Sequence, residues 1–123
     1  MILVDTSVWI DHLRNGEPRL AALLEAGQVL VHDFVIGELA CGNLSTRTRV
    51  LGLLGTMPRA TRAQETETLG LIERYRLMGR GIGYVDAHLL AATLIARGRL
   101  WSRDRRLATI AAELGVACEE IAH

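Results

Sequence analysis

The chain has 123 residues, half of them hydrophobic and few aromatic, which suits one domain with a core of Leu, Ala, Ile and Val. Its fourteen basic residues are all Arg and balance fourteen acids, so the formal net charge is zero. That balance excludes attachment to nucleic acid by bulk charge, and the missing Lys excludes a Walker A phosphate loop. Cys41 and Cys118 form no metal or redox motif and read as small buried hydrophobes. No basic-then-apolar leader and no membrane-length apolar run is visible, so the expectation is a cytoplasmic protein without a membrane partner.

Taken in order, Ile2, Leu3 and Val4 run straight into Asp5, reading as a strand buried on both faces. Thr6 or Ser7 can cap a following helix carrying Val8, Trp9, Ile10 and Leu13. Asn15 to Pro18 reads as a turn, Pro18 starts a short helix, and Gly27 ends it. Val29, Leu30 and Val31 give a second strand, and Asp33 is the expected cap of a helix from about 34 to 41 or 42. Ser45 or Thr46 can start another helix, whose face is Val50, Leu51, Leu53 and Leu54. Residues 57–61 are an extended connection or short strand, with Pro58 against a central one. An amphipathic helix is expected over 64–78, with Leu69, Ile72 and Tyr75 or Arg76 on one side. Gly79, Gly81 and Gly83 make a flexible connection to a helix over Tyr84–Ala96, apolar nearly all round and so buried. Leu100, Trp101 and Ser102 read as a strand, Asp104 opens a helix ended by Gly115, and Val116 to Cys118 or Ile121 is a final strand. This alternation predicts an α/β domain over 1–123, with a central parallel sheet of four to five strands and helices on both faces.

In such a sheet, ligands bind beyond the carboxyl ends of the strands. Asp5 and Asp104 follow strands, Glu38 lies one turn into a helix after a strand, and Asp86 falls in the first turn of the buried helix. Taken singly, Asp5, Asp86 and Asp104 read equally as helix caps; Glu38 faces either solvent or a site. Helix amino termini stabilise a carboxylate by up to about 1 kcal/mol each, too little to hold four like charges together. Four acids at one sheet edge would raise some pKa values or draw in a cation. Hard oxygen donors without clustered His or Cys select Mg²⁺ or Mn²⁺ over zinc.

Four stretches carry a more specific signal: Asp5-Thr6-Ser7-Val8-Trp9-Ile10-Asp11-His12, Phe34-Val35-Ile36-Gly37-Glu38-Leu39, Tyr84-Val85-Asp86-Ala87-His88-Leu89-Leu90-Ala91-Ala92 and Leu100-Trp101-Ser102-Arg103-Asp104-Arg105-Arg106-Leu107. In order and context they resemble the four motifs of PIN-domain ribonucleases, and more narrowly VapC-type toxins of bacterial toxin–antitoxin pairs. The resemblance covers nearly the whole chain. It implies a three-layer PIN-like fold and an endoribonuclease dependent on Mg²⁺ or Mn²⁺, leaving 5′-phosphate and 3′-hydroxyl ends. It also implies that Asp5, Glu38, Asp86 and Asp104 bind metal and orient the attacking water, with Thr6 and Ser102 as supporting hydroxyls. The implied partners are RNA, a cognate antitoxin and a second copy of the chain; no direct reading of operator DNA is expected from this chain alone. Asp33 departs from the family pattern and reads as a cap.

Arg103, Arg105 and Arg106 flank Asp104 and are candidates for RNA phosphates, or else a solvated helix start. His88 is two residues past Asp86 and so points elsewhere on a helix; it reads as packing, as do His12 and His32 at the surface or in packing. Trp9 and Trp101 have apolar neighbours and read as core rather than base-stacking residues. The rival function is a PIN-like module that binds RNA or protein without cutting, which loss of an acid would favour; all four acids are present. A phospho-acceptor receiver domain wants a Lys, and an aspartyl-phosphate phosphatase wants an Asp where Ser7 stands.

Overall fold

The computed structural model describes residues 1–118. The aliphatic run Ile2–Val4 is β1, the middle strand of a parallel sheet of order β2-β1-β3, with β2 at Val29–Leu30 and β3 at Arg99–Trp101. Leu3 lies opposite Leu30 and Leu100, and Val4 opposite Trp101. Successive strand residues point to opposite faces. Leu3 and Val4 are both buried, so the sheet is covered on both sides. That double burial is why no polar residue interrupts the run.

Among the described residues three strands form, where four to five are expected. The missing lanes shrink to single parallel bridges, Val31 with Arg59 at one edge and Leu100 with Ala117 at the other. Each lane has two hydrogen bonds: Val31 N to Pro58 O and Ala60 N to Val31 O, both 2.9 Å, and Leu100 N to Val116 O (2.7 Å) and Cys118 N to Leu100 O (2.9 Å). Pro58 offers a carbonyl but no N–H, so its lane cannot propagate. The final strand narrows to the bridge at Ala117, and Ile121 lies outside the described residues.

Among the described residues seven helices surround these strands: α1 Thr6–Asn15, α2 Pro18–Glu25, α3 Asp33–Cys41, α4 Arg47–Thr56, α5 Glu65–Arg74, α6 Tyr84–Ala96 and α7 Arg105–Glu113. The helix starts correct several expectations. Asp5, not Thr6 or Ser7, occupies the N-cap of α1. His32, not Asp33, caps α3: its Nδ1 accepts from Phe34 N–H at 3.0 Å, while Asp33 pairs with Arg59 at 3.0 Å. The expected 64–78 helix stops at Arg74, because Arg76 turns left-handed at φ 53°. Its inward side is Thr68 with Leu71 and Ile72, and Leu69 faces solvent. Cys41 is exposed and Cys118 only half-buried, so neither is the buried hydrophobe expected.

α6 has the predicted bounds, and Ala87 to Thr93 are all buried, as an all-round apolar helix requires. Behind it Gly98 lets β3 approach β1. A Cβ there would lie 2.5 Å from Met1 O, beside the Arg99 N to Met1 O hydrogen bond of 3.1 Å. Among the described residues no helix is long and apolar enough to cross a membrane.

Candidate active site

Asp5 leaves the carboxyl end of β1 and is 6% exposed. Although it sits at the N-cap of α1, its side chain caps no amide. Instead Oδ2 accepts from two hydroxyls, Ser7 Oγ and Ser102 Oγ, each at 2.8 Å. Ser102 follows the neighbouring strand β3, and its Oγ in turn accepts from Asp104 N at 3.0 Å. Ser7 Oγ accepts from Arg103 N at 3.0 Å. Two adjacent parallel strands thus end in one hydroxyl–carboxylate network.

The other acids arrive on helices. Thr6 Oγ1 donates to Glu38 Oε1 at 2.7 Å, tying α3 to the start of α1. Asp104 caps α7, its Oδ1 accepting from Arg106 N (2.9 Å) and Leu107 N (3.2 Å). Asp86 reaches back one turn to accept from Gly83 N at 3.1 Å. The cap reading therefore holds for Asp104 and Asp86 and fails for Asp5.

Electrostatics connect all four. Burial lifts the Asp86 carboxyl above the ordinary carboxylate range; the Gly83 N–H opposes this, and repulsion from Asp5, Asp104 and Glu38 adds to the lift. The four expected acids are brought to one end of the sheet. In each, one oxygen is engaged by a hydroxyl or amide, and among the described residues the second accepts no hydrogen bond.

Those second oxygens form an all-oxygen donor set, which fits a hard divalent cation. As the side chains stand, however, no three acid, His or Cys groups among the described residues close around a common point. Glu38 and Asp104 are exposed, whereas Asp5 is buried and held by two hydroxyls.

The arginines separate. Arg103 is no outward-facing cation. Its Nη1 donates to Asp11 at 2.7 Å, its Nη2 donates to Glu17, and its guanidinium lies 5.7 Å from the Trp101 ring centre. The same bond holds the Glu17 carboxyl below the usual range. Arg105 and Arg106 are exposed on the first turn of α7. Arg106 also lies across Gly81, where a Cβ would come 2.6 Å from its Cδ. The glycine connection therefore gives the side chain room.

His88 is buried, with Nδ1 3.2 Å from Thr68 Oγ1, and the two Trp are core, as expected. His12 Nδ1 accepts from Glu17 N at 3.0 Å. Sequence reasoning missed Ser7, Asp11 and Glu17. Ser7 and Asp11 lie within the first motif; Glu17 carries no sequence signal beyond its place before Pro18.

The PIN domain profile matches residues 2–113. Two curated proteins named Ribonuclease VapC32, from Mycobacterium tuberculosis strains CDC 1551 / Oshkosh and ATCC 25618 / H37Rv, are each 48% identical over 121 residues, covering 98% of this chain and of theirs. Among solved structures, a toxin-antitoxin complex from Klebsiella pneumoniae aligns with TM-score 0.67 and 24% identity, over 89% of this chain and 92% of that one. FitAcB from Neisseria gonorrhoeae aligns with TM-score 0.65 and 21% identity, over 95% of each chain. At those identities the structures speak for the fold.

Proposed function

The chain belongs to the PIN-domain family, and on that premise we propose that it is a VapC-type toxin, an endoribonuclease that hydrolyses RNA to 5′-phosphate and 3′-hydroxyl ends. Support from sequence is the 48% identity to proteins named as ribonucleases along nearly the whole chain. The observation that carries the reading in the fold is the set of held carboxylates at the strand ends and helix starts: Asp5 on Ser7 and Ser102, Glu38 on Thr6, Asp86 on Gly83 N–H and Asp104 on the first amides of α7. Four acids at one end of the sheet favour a bound cation, and the oxygen-only donor set favours Mg²⁺ or Mn²⁺.

In this reading Asp5, Glu38, Asp86 and Asp104 hold the cation and orient the attacking water. Thr6 would hold Glu38 and Ser102 and Ser7 would hold Asp5 Oδ2, so that one oxygen of each carboxylate stays available as a donor to the cation. When bound, the cation supplies Lewis acidity at the phosphoryl group and makes hydroxide available at neutral pH. Arg105 and Arg106 are the side chains that meet RNA phosphates.

A cognate antitoxin and a second copy of the chain are the proposed protein partners, in the cytoplasm. Exposed Ile10, Leu13 and Leu53 offer apolar surface, and Leu13 and Leu53 also line a cavity of about 310 Å³ between α1 and α4.

Purified protein, free of antitoxin, incubated with total cellular RNA tests this. Discrete cleavage with Mg²⁺ or Mn²⁺, lost with chelator and in Asp5→Asn and Asp86→Asn, is the expected result. Ligation that requires a 5′-phosphate reads the ends. A folded, metal-binding protein that cuts nothing under either ion would instead be a binding module.

A further inference from the structure

We propose that Arg103 is a positioning residue for the acidic site, acting as a strut between α1 and the turn that carries Ser102 and Asp104. This role rests on the metal-dependent nuclease reading above.

Among the described residues, three hydrogen-bonded partners on α1 and before α2 place residue 103. Its backbone N–H donates to Ser7 Oγ at 3.0 Å, and that hydroxyl donates to Asp5 Oδ2 at 2.8 Å. Its side chain spans to Asp11, one turn beyond Ser7 on α1, at 2.7 Å, and to Glu17. Its neighbours in sequence are the two site residues of this turn: Ser102, which donates to Asp5 Oδ2, and Asp104, whose N–H returns to Ser102 Oγ at 3.0 Å. Ser102 Oγ links Asp5 to Asp104 directly, and residue 103 adds the second tie, from the same turn through Ser7 to Asp5 and along α1 to Asp11.

The far end of the strut is itself held. Glu17 N donates to His12 Nδ1 at 3.0 Å, and Glu17 Oε1 accepts from Arg19 N at 3.3 Å at the start of α2. The guanidinium is about a quarter exposed and packs over the Trp101 ring, so the pair is partly shielded from water. A planar fork that joins two carboxylates at once is a task for Arg; the single ammonium of Lys cannot reproduce it. Groups that orient metal ligands typically change metal affinity or activity by roughly 10- to 100-fold when removed.

The test compares Arg103→Ala, Arg103→Lys, Asp11→Asn and Glu17→Gln, with Arg80→Gln as a control that breaks a surface ion pair elsewhere. Glu17→Gln keeps an oxygen for the Arg19 N–H, so it stands in if Arg103→Ala does not fold. Mn²⁺ affinity is read by electron paramagnetic resonance, exchange of residues 102–107 by hydrogen–deuterium mass spectrometry, and kcat and KM on an RNA oligonucleotide. The expected result is roughly 10-fold or more loss in Mn²⁺ affinity and kcat for Arg103→Ala, with KM nearly unchanged and faster exchange in 102–107. Glu17→Gln and Asp11→Asn together reproduce that defect. If Arg103 instead binds RNA, its variants raise KM, leave Mn²⁺ affinity and exchange unchanged, and the acid variants are neutral; that pattern overturns the strut. Wild-type protein that neither binds Mn²⁺ nor cleaves RNA overturns the proposed function and this role with it.

Discussion

Asp86 carries a charge that the fold resists. Burial first, and then Asp5, Asp104 and Glu38, lift its proton affinity above the ordinary 3.8. A carboxyl whose folded value is raised destabilises the fold at pH above that value, and the penalty fades as pH falls through it toward the unfolded value. Asp86→Asn keeps an oxygen for Gly83 N–H and removes the charge. The metal-free variant is therefore expected to melt a few degrees above wild type at neutral pH, while Mn²⁺ raises the wild-type Tm more than the variant's. Calorimetry with and without Mn²⁺ checks both signs; an unchanged or lower metal-free Tm would show that neither burial nor the neighbouring acids penalise the Asp86 charge. His32 and His88 work in the opposite direction. Burial lowers the pKa of each, so both are held neutral in the folded state. His32 Nδ1 accepts from Phe34 N–H, which leaves its proton on Nε2. Thr68 Oγ1 donates to Gln64 O, so it accepts from His88 Nδ1–H and leaves His88 Nε2 a bare acceptor. Both Nε2 atoms are buried without a hydrogen-bond partner among the described residues, and Phe34 packs against both rings. Nitrogen-15 spectra are expected to show these opposite tautomers. The stability from the neutral rings is complete above the unfolded value of 6.5 and is lost as pH falls below it toward the lowered folded values. His32→Asn, which keeps a capping oxygen, is expected to flatten that loss between pH 7.5 and 5.5 in thermal melts.

At the scale of elements, legibility followed how local the causes were. α6 is legible to its ends because a nearly all-apolar stretch between glycines admits few other fates, and β1 because an unbroken aliphatic run needs cover on both faces. α5 was misjudged because Leu69 and Thr68 trade places: the buried hydroxyl is satisfied by Gln64 O and His88, a partnership twenty residues away in the chain that no periodicity shows. The sheet edges were overdrawn for a similar reason. Residues 57–61 read as an extended connection or short strand and Val116 onward as a strand, but among the described residues each pairs through a single bridge. The cap of α3 was missed because His is an uncommon N-cap, and here burial selects it. The junction of β3 with β1 makes a sharper demand. Gly98→Ala is expected to push a methyl group into Met1 O and part the two strands that present Asp5 and Ser102. Urea unfolding should register a loss of about 1–3 kcal/mol, the usual range for overpacking, and activity should fall with it. A variant as stable and active as wild type would mean that the amino-terminal strand yields at no cost.

For the whole molecule, the four acids were legible only together. Asp86 and Asp104 do satisfy helix amides, so each alone supports the plainer reading; their order across four motifs pointed to a site, and the parallel sheet is what carries them to one end. The hydroxyls Thr6 and Ser102 were also visible, whereas the Arg103 strut was not, since its partners Asp11 and Glu17 meet it only once α1 and α2 are folded beside β3. This rearranges the electrostatics of RNA binding. With zero net charge, no long-range attraction draws the polyanion in, and with Arg103 committed to two acids, Arg105 and Arg106 are the cations left beside the site from that cluster. Release of counterions from a single strand contributes a slope of roughly 0.7 in log affinity against log salt for each phosphate contacted. Two contacts give about 1.4. Fluorescence anisotropy of a labelled RNA on the Asp86→Asn protein, across a salt series at fixed Mg²⁺, is expected to yield a slope near that shallow value, reduced by about half in Arg106→Gln. A slope several times steeper would mean that RNA lies across arginines far from α7, such as those on α4, and the binding surface would have to be redrawn around them.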